Sequence, residues 1–194
     1  MATVPDGRTA RATRTRDAIV DALLALLQEG RLRATSAEIA GRAGVSERSI
    51  FQHYPSRDAL FTAVGERQMA RVAEIVSPID PSAPPGERID TFVAQRSAVL
   101  ELLTPTRRAA LLIADDHPVL ARNIEEVRAR KRERALATFA PELEPLPASA
   151  GAAVAAASSW STWDALRAQQ GLPPDDAREA MRGLLAGVLG ISRE

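Results

Sequence analysis

The sequence predicts an all-α fold of about nine helices, a short three-helix N-terminal domain followed by a larger helical one. Three observations carry this. Apolar residues recur at helical spacing, as in Ile19, Ala22, Leu23, Leu26 and Leu27, and no stretch alternates apolar with polar residues as a half-buried strand does. Glycines and prolines punctuate the chain at helix-length intervals, most densely in "SPIDPSAPPGE" at 77–87. With no cysteine among 194 residues, neither a disulfide framework nor a thiolate zinc site holds the fold, so a packed core must.

Taken in order, residues 1–13 read as a mobile basic arm. The first helix runs from about Thr15 to Glu29, and Gly30 sits at its C′ position. "TSAE", Thr35 to Glu38, is a capping box that opens a short helix to Ala43, and Gly44 ends it. Ser46 caps a second short helix from Glu47 to His53, which Pro55 stops because the residue before a proline is pushed out of the α region. Ser56 caps a longer helix from Arg57 to about Val76. Beyond the proline-rich loop, a helix is expected from Arg88 to Leu102, broken by Thr104-Pro105, then one from Thr106 to Asp115. A long charged helix follows from Pro118 to Phe139, then a loop at 140–147, then two last helices at 149–170 and 174–191.

The net formal charge is zero, 25 basic residues against 25 acidic, but it is unevenly placed. Between Arg8 and Arg57 nine arginines face five acids, a local excess of +4, so the rest of the chain is acidic. Attraction of a polyanion depends on the local field, not on the chain average. No run approaches the roughly 20 apolar residues of a membrane helix, and a cytoplasmic protein is expected. No paired carboxylates, nucleophile elbow or phosphate loop appears, so no enzymatic role, cofactor or metal is expected. The cluster Asp115–His117 has metal-ligand residue types but only one other histidine to call on, His53. The run "IEEVRARKRERA", 124–135, reads as a solvated helix face.

Two short helices joined by a glycine-containing turn, after a longer first helix, describe a helix-turn-helix spanning about 35–54. Such a motif packs its first short helix so that the second presents polar side chains to the major groove of DNA. Here Ile39, Ala40, Ala43 and Val45 supply packing. Ser46, Glu47, Arg48, Ser49, Gln52 and His53 are presented; arginine pairs with guanine and glutamine with adenine. Thr35 with Ser36, and Ser56 with Arg57, mark helix N-termini, where the dipole favours a phosphate. Phe51 and Tyr54 read mainly as packing, although Tyr54 stands among the candidate DNA-binding residues (Thr35, Ser36, Ser46, Glu47, Arg48, Ser49, Gln52, His53, Tyr54, Arg57).

The segment "GRLRATSAEIAGRAGVSERSIFQHYPSRDALFTAV" resembles the DNA-binding signature of the tetracycline-repressor (TetR) family of transcriptional regulators. It keeps the glycine after the first helix, Thr35, Ile39-Ala40, Ala43-Gly44-Val45-Ser46, two aromatics three apart, and "PSRDAL". The resemblance covers residues 14–64. Phe51 stands where that family usually has tyrosine, Tyr54 where phenylalanine is common, and Arg57 replaces the usual lysine.

The resemblance implies a DNA-binding domain at 14–60 and a helical effector-binding and dimerisation domain at 61–194. It implies a repressor that binds a palindromic operator as a homodimer and is released by a small molecule. The last two helices suit a dimer interface: the stripe Met181, Leu184, Leu185, Val188 and the alanines Ala153 and Ala157 allow close packing, as do Gly183 and Gly187. Bulky or polar members of inner helices give candidate ligand residues: Phe92, Arg96, Leu112, His117, Trp160 and Trp163. With 4% aromatic residues the pocket is expected to be aliphatic and its effector apolar. The alternatives are a regulator without a ligand and a helical protein-interaction module.

Overall fold

In the computed structural model, residues 7–191 are described, the side chains of Asp116 and Val119 excepted. They form ten α-helices with one 3₁₀ turn and one π turn, and no strand occurs among the described residues. The helices are α1 (Gly7–Gln28), α2 (Ser36–Ala43), α3 (Glu47–His53), α4 (Arg57–Ile75), α5 (Pro85–Leu111), α6 (Pro118–Thr138), α7 (Ala140–Leu143), α8 (Ser149–Ala157), α9 (Trp160–Asp164) and α10 (Pro174–Leu189). No helix among the described residues is long and apolar enough to cross a membrane.

They pack as two compact units. The first holds the residues through Ala70 together with Pro105–Arg122; the second holds Arg71–Thr104 and the residues from Asn123 on. The boundaries between the units therefore fall inside α4, α5 and α6.

In the first unit α1 begins at Gly7, eight residues before the expected start; of the basic arm, residues 1–6 lie outside the described residues. Arginine and alanine are good helix formers. The hydroxyls of Thr13 and Thr15 donate to the carbonyls of Thr9 and Arg11, both at 3.1 Å, and so stay within the helix. The apolar stripe of α1, with Ile19, Leu23 and Leu27 almost fully buried, gathers Ile39 and Ala40 of α2, Ile50 of α3 and Leu60, Phe61 and Val64 of α4 into one core. Each such aliphatic side chain contributes about 1.5–3 kcal/mol. On the outer surface Arg67 of α4 spans Asp21 at 2.6 Å and Asp17 at 2.5 Å, clamping α4 to α1.

The expected break at Thr104-Pro105 does not occur: α5 runs through it. A proline inside a helix removes one backbone bond and costs about 3 kcal/mol. Thr104 is buried and its hydroxyl donates to the Leu100 carbonyl at 2.7 Å, and Val99, Leu100, Ala109 and Ala110, on both sides of the proline, are buried. Burial of both flanks outweighs the local penalty.

The second unit has its own core. Phe92 of α5 meets Phe139 edge-on, with ring centroids 5.1 Å apart and planes at 71°. Ile89, Val93, Val154, Trp163, Met181 and Leu185 close around this pair. The single helix expected at 149–170 is two. Arg96 Nε donates to the Ser158 carbonyl at 2.7 Å, which draws that carbonyl out of the helical ladder. Ser159 then recaps the chain, its hydroxyl accepting from the Thr162 amide at 3.1 Å. The loop expected at 140–147 contains the single turn α7, opened by a proline in its first turn.

Candidate nucleic-acid interface

The geometry of the helix pair is set by caps. Thr35 Oγ1 accepts from the Glu38 amide at 3.2 Å, and Glu38 Oε2 accepts from the Thr35 amide at 2.8 Å, so both halves of the capping box are formed. Arg31 pairs with the same Glu38 and ties the box to the end of the preceding turn. Arg42 of α2 grips Glu29 by two nitrogens, at 3.2 and 2.5 Å. This hydrogen-bonded pairing holds the Glu29 carboxyl below its ordinary range.

Gly44 ends α2 at φ +67°, a left-handed conformation that a side chain resists, and its neighbour Val45 donates to the Ala40 carbonyl at 3.0 Å. The turn so fixed launches α3, whose N-cap Ser46 accepts from the Ser49 amide at 3.2 Å. Ile50 is buried at 3% exposure and pins α3 to the core. The face away from Ile50 carries Arg48 and Gln52, both exposed, while Glu47, exposed, and His53, half-buried, lie three residues either side of Ile50 and flank it.

The two aromatics of this stretch divide differently from the sequence reading. Tyr54 is buried at 9% exposure, and its hydroxyl donates to the Arg16 carbonyl at 3.3 Å. Burial pushes its phenol above the ordinary range. Phe51, read as packing, stands 57% exposed on α3. Three-dimensional packing decides which of the two aromatics is exposed.

Phe51 forms one wall of a notch of about 230 Å³ that also takes in Ser36 at the start of α2 and Ser56 and Arg57 at the start of α4. Ser56 caps α4, accepting from the Ala59 amide at 3.1 Å. Arg57 donates to the Ala34 carbonyl at 3.4 Å and lies 5.7 Å over the Phe61 ring. Its guanidinium is thus held beside the N-termini of α2 and α4, whose caps take up only part of their first-turn amides. The arrangement suits phosphate oxygens flanking a base-reading helix.

Capped, glycine-turned and pinned in this way, α1–α3 define a helix-turn-helix domain. Residues 19–64 match the family model for bacterial regulatory proteins of the tetR family. Over 60 residues it is 38% identical to the nucleoid occlusion factor SlmA of Aliivibrio fischeri, a match covering 30% of this chain and 31% of that protein. The chain thus matches only about a third of the length of that curated relative. In fold it is similar to a transcriptional regulator from Rhodococcus sp. Rha1, with a TM-score of 0.65 at 20% identity over 92% of this chain and 96% of the other. A TetR-like transcriptional regulator from Rhodococcus sp. RHA1 gives 0.62 at 19% identity over 97% and 100%. The multidrug binding protein EbrR, complexed with imidazole, gives 0.57 at 21% identity over 97% and 93%. At these identities the likeness is one of fold.

The remaining candidates are placed as follows. Phe92 and Arg96 share a cleft in the second unit. Trp163 lies in the core at 1% exposure, while Trp160 is half-buried and donates to Thr104 Oγ1 at 3.1 Å. Leu112 is 46% exposed in the first unit, where His117 Nδ1 approaches Asp58 Oδ1 to 2.5 Å. Phe92, Arg96, Trp160 and Trp163 thus belong to the second unit, and Leu112 and His117 to the first. Among the candidate interface residues, Ala157, Met181 and Leu185 belong to the core, Ala153 and Val188 are half-buried, and Leu184 is 47% exposed.

Proposed function

We propose that the chain is a DNA-binding transcriptional repressor that grips a palindromic operator as a homodimer and lets go when a small molecule binds the second unit. The observation that carries the reading is the exposed Arg48, Phe51 and Gln52 on a capped α3, flanked by Arg57 and the N-termini of α2 and α4. Arg48 and Gln52 discriminate base edges, Phe51 offers apolar surface to a thymine methyl group, and Ser36, Ser56 and Arg57 hold phosphates. Such a cytoplasmic regulator does its work by binding, not by turnover.

Dimerisation is supported by α10. A Cβ added at Gly183 or Gly187 would meet nothing within 4 Å, so nothing within the chain requires glycine at either position. Each costs the helix about 1 kcal/mol relative to alanine. Close approach of a second copy, with Leu184 inserted beside them, accounts for that cost, and a two-fold dimer supplies the two reading helices that a palindrome needs.

A ligand response is supported by clefts in the second unit and by α4, which is continuous from Arg57 to Ile75 and brings Val72 to one of them. That the fold neighbour EbrR is a multidrug binding protein agrees with this reading. The effector must favour the released conformation by the same free energy that it removes from operator binding. Sedimentation of the protein with a labelled genomic operator fragment tests the whole: two protomers per site support the reading, and one protomer per site, or none, opposes it.

A further inference from the structure

We propose that the effector is an amphipathic organic anion, its hydrocarbon part lying on Val72, Val76, Phe92 and Val99 and its charged head at Lys131 and Arg134. This rests on the reading of the second unit as ligand-responsive and adds the chemical class of the ligand. It also changes the expectation from composition, which favoured a plainly apolar effector.

The residues that line the cleft come from the end of α4, from α5 and from α6. Phe92 and Val99 are buried and make its floor, at 5% and 3% exposure; Val72 and Val76 are half-buried and make a wall. The cleft is small, about 80 Å³, but a second opening of about 480 Å³ shares Val76 and Arg134 with it and runs on beneath the proline-rich loop past Ile79. The second opening falls within the range of about 300–1,000 Å³ usual for small-molecule sites. Arg134 is exposed and lines both openings, which lie side by side.

The charge of these openings runs against their surroundings. The second unit holds twelve basic and fifteen acidic residues, yet Arg88, Arg96, Lys131 and Arg134 line the two openings and no acidic side chain does. Five arginines of the unit pair with carboxylates: Arg88 with Glu142, Arg128 with Glu125, Arg167 with Glu101, Arg178 with Asp175 and Arg182 with Asp90. Arg134 meets neutral groups. Its Nη2 donates to the Ser77 carbonyl and to Gln95 Oε1, both at 3.1 Å and both uncharged. A guanidinium carries five donors in a planar fork shaped for a carboxylate, and neutral acceptors on one nitrogen leave an edge of that fork for an anion. Apolar floor and cationic rim together select a molecule with a hydrocarbon body and one anionic end.

The test is titration of the full chain with decanoate, decanol and decyltrimethylammonium, each below its micelle threshold, followed by calorimetry and thermal shift. Decanoate is expected to bind, decanol to bind at least tenfold more weakly, and the ammonium not to bind. Arg134→Gln and Lys131→Gln should each weaken decanoate at least tenfold at unchanged melting temperature. Arg134→Lys should recover part of the loss, and Arg128→Gln, on the same helix but paired with Glu125, should change nothing. Equal binding of decanol and decanoate, wild-type affinity in Arg134→Gln, or no binding of any probe overturns the proposal. Operator affinity measured on the same samples separates the two claims. Decanoate that binds without releasing DNA refutes the ligand-responsive reading while the anion site stands. Intact operator binding with no decanoate binding removes the anion site alone.

Discussion

Replacing Arg57 by glutamine isolates the phosphate contact from the fold. Arg57 is exposed, its one hydrogen bond is long at 3.4 Å, and its guanidinium sits 5.7 Å from the Phe61 ring. Losing these costs the domain about 1 kcal/mol, so the variant stays folded. The effect on DNA is larger and has a signature. Each phosphate neutralised adds about 0.9 to the slope of log affinity against log salt, so two copies in a dimer contribute about 1.8. Between 50 and 200 mM salt a slope of 1.8 amounts to about a twelvefold change in affinity. Fluorescence anisotropy across that range, on operator and on random duplex, should therefore show wild-type binding falling about twelvefold further than the variant's on both DNAs. An unchanged slope, or a loss confined to particular base pairs, would refute the role assigned to Arg57.

Other outcomes follow from the same geometry. Phe51→Ala should leave stability intact and weaken operator binding by about 1 kcal/mol per half-site, near thirtyfold for a dimer, because half a phenyl ring loses its apolar partner; gel-shift affinities check it. Leu184→Ala should weaken the dimer by about 2 kcal/mol over its two copies, again near thirtyfold, read by sedimentation at graded concentrations. Tyr54 is the single tyrosine of the chain, so tyrosinate absorbance reports it alone. Burial favours its neutral form, so its contribution is complete below the unfolded pKa of about 10 and is lost as pH rises through the higher folded value. Tyr54→Phe should flatten that alkaline loss of melting temperature, and an unaltered alkaline profile would contradict the burial argument.

The legibility of this chain follows the range of the forces involved. Thr35 with Glu38, Gly44, and Ser46 act within a few residues, and the sequence reading located α2, the turn and α3 from them. Pro105 and the alanine-rich stretch after Ser149 were misleading because tertiary packing decided both: burial on either side of the proline carries α5 through it, and Arg96 pulls the Ser158 carbonyl out of a helix whose composition is continuous. The aromatics of α3 were ambiguous for the same reason, since Phe51 and Tyr54 have equal hydrophobic claims and only the position of Arg16 shows which one is buried. The cationic rim was invisible because Lys131 and Arg134 belong to a run whose composition is that of a solvated face. Their meeting with Phe92, Gln95 and Ser77 depends on how α6 lies on α5.

The central claim is that α3 reads DNA sequence, and selection from a fragmented genome tests it most directly. Fragments retained by the purified protein would be sequenced, and the affinity for the enriched site compared with that for a shuffled duplex at physiological salt. The account predicts a two-fold symmetric site bound at least a thousandfold more tightly than the shuffled sequence, in the usual range for specific regulators. Enrichment of no common sequence, with equal affinity for the two duplexes, would contradict it.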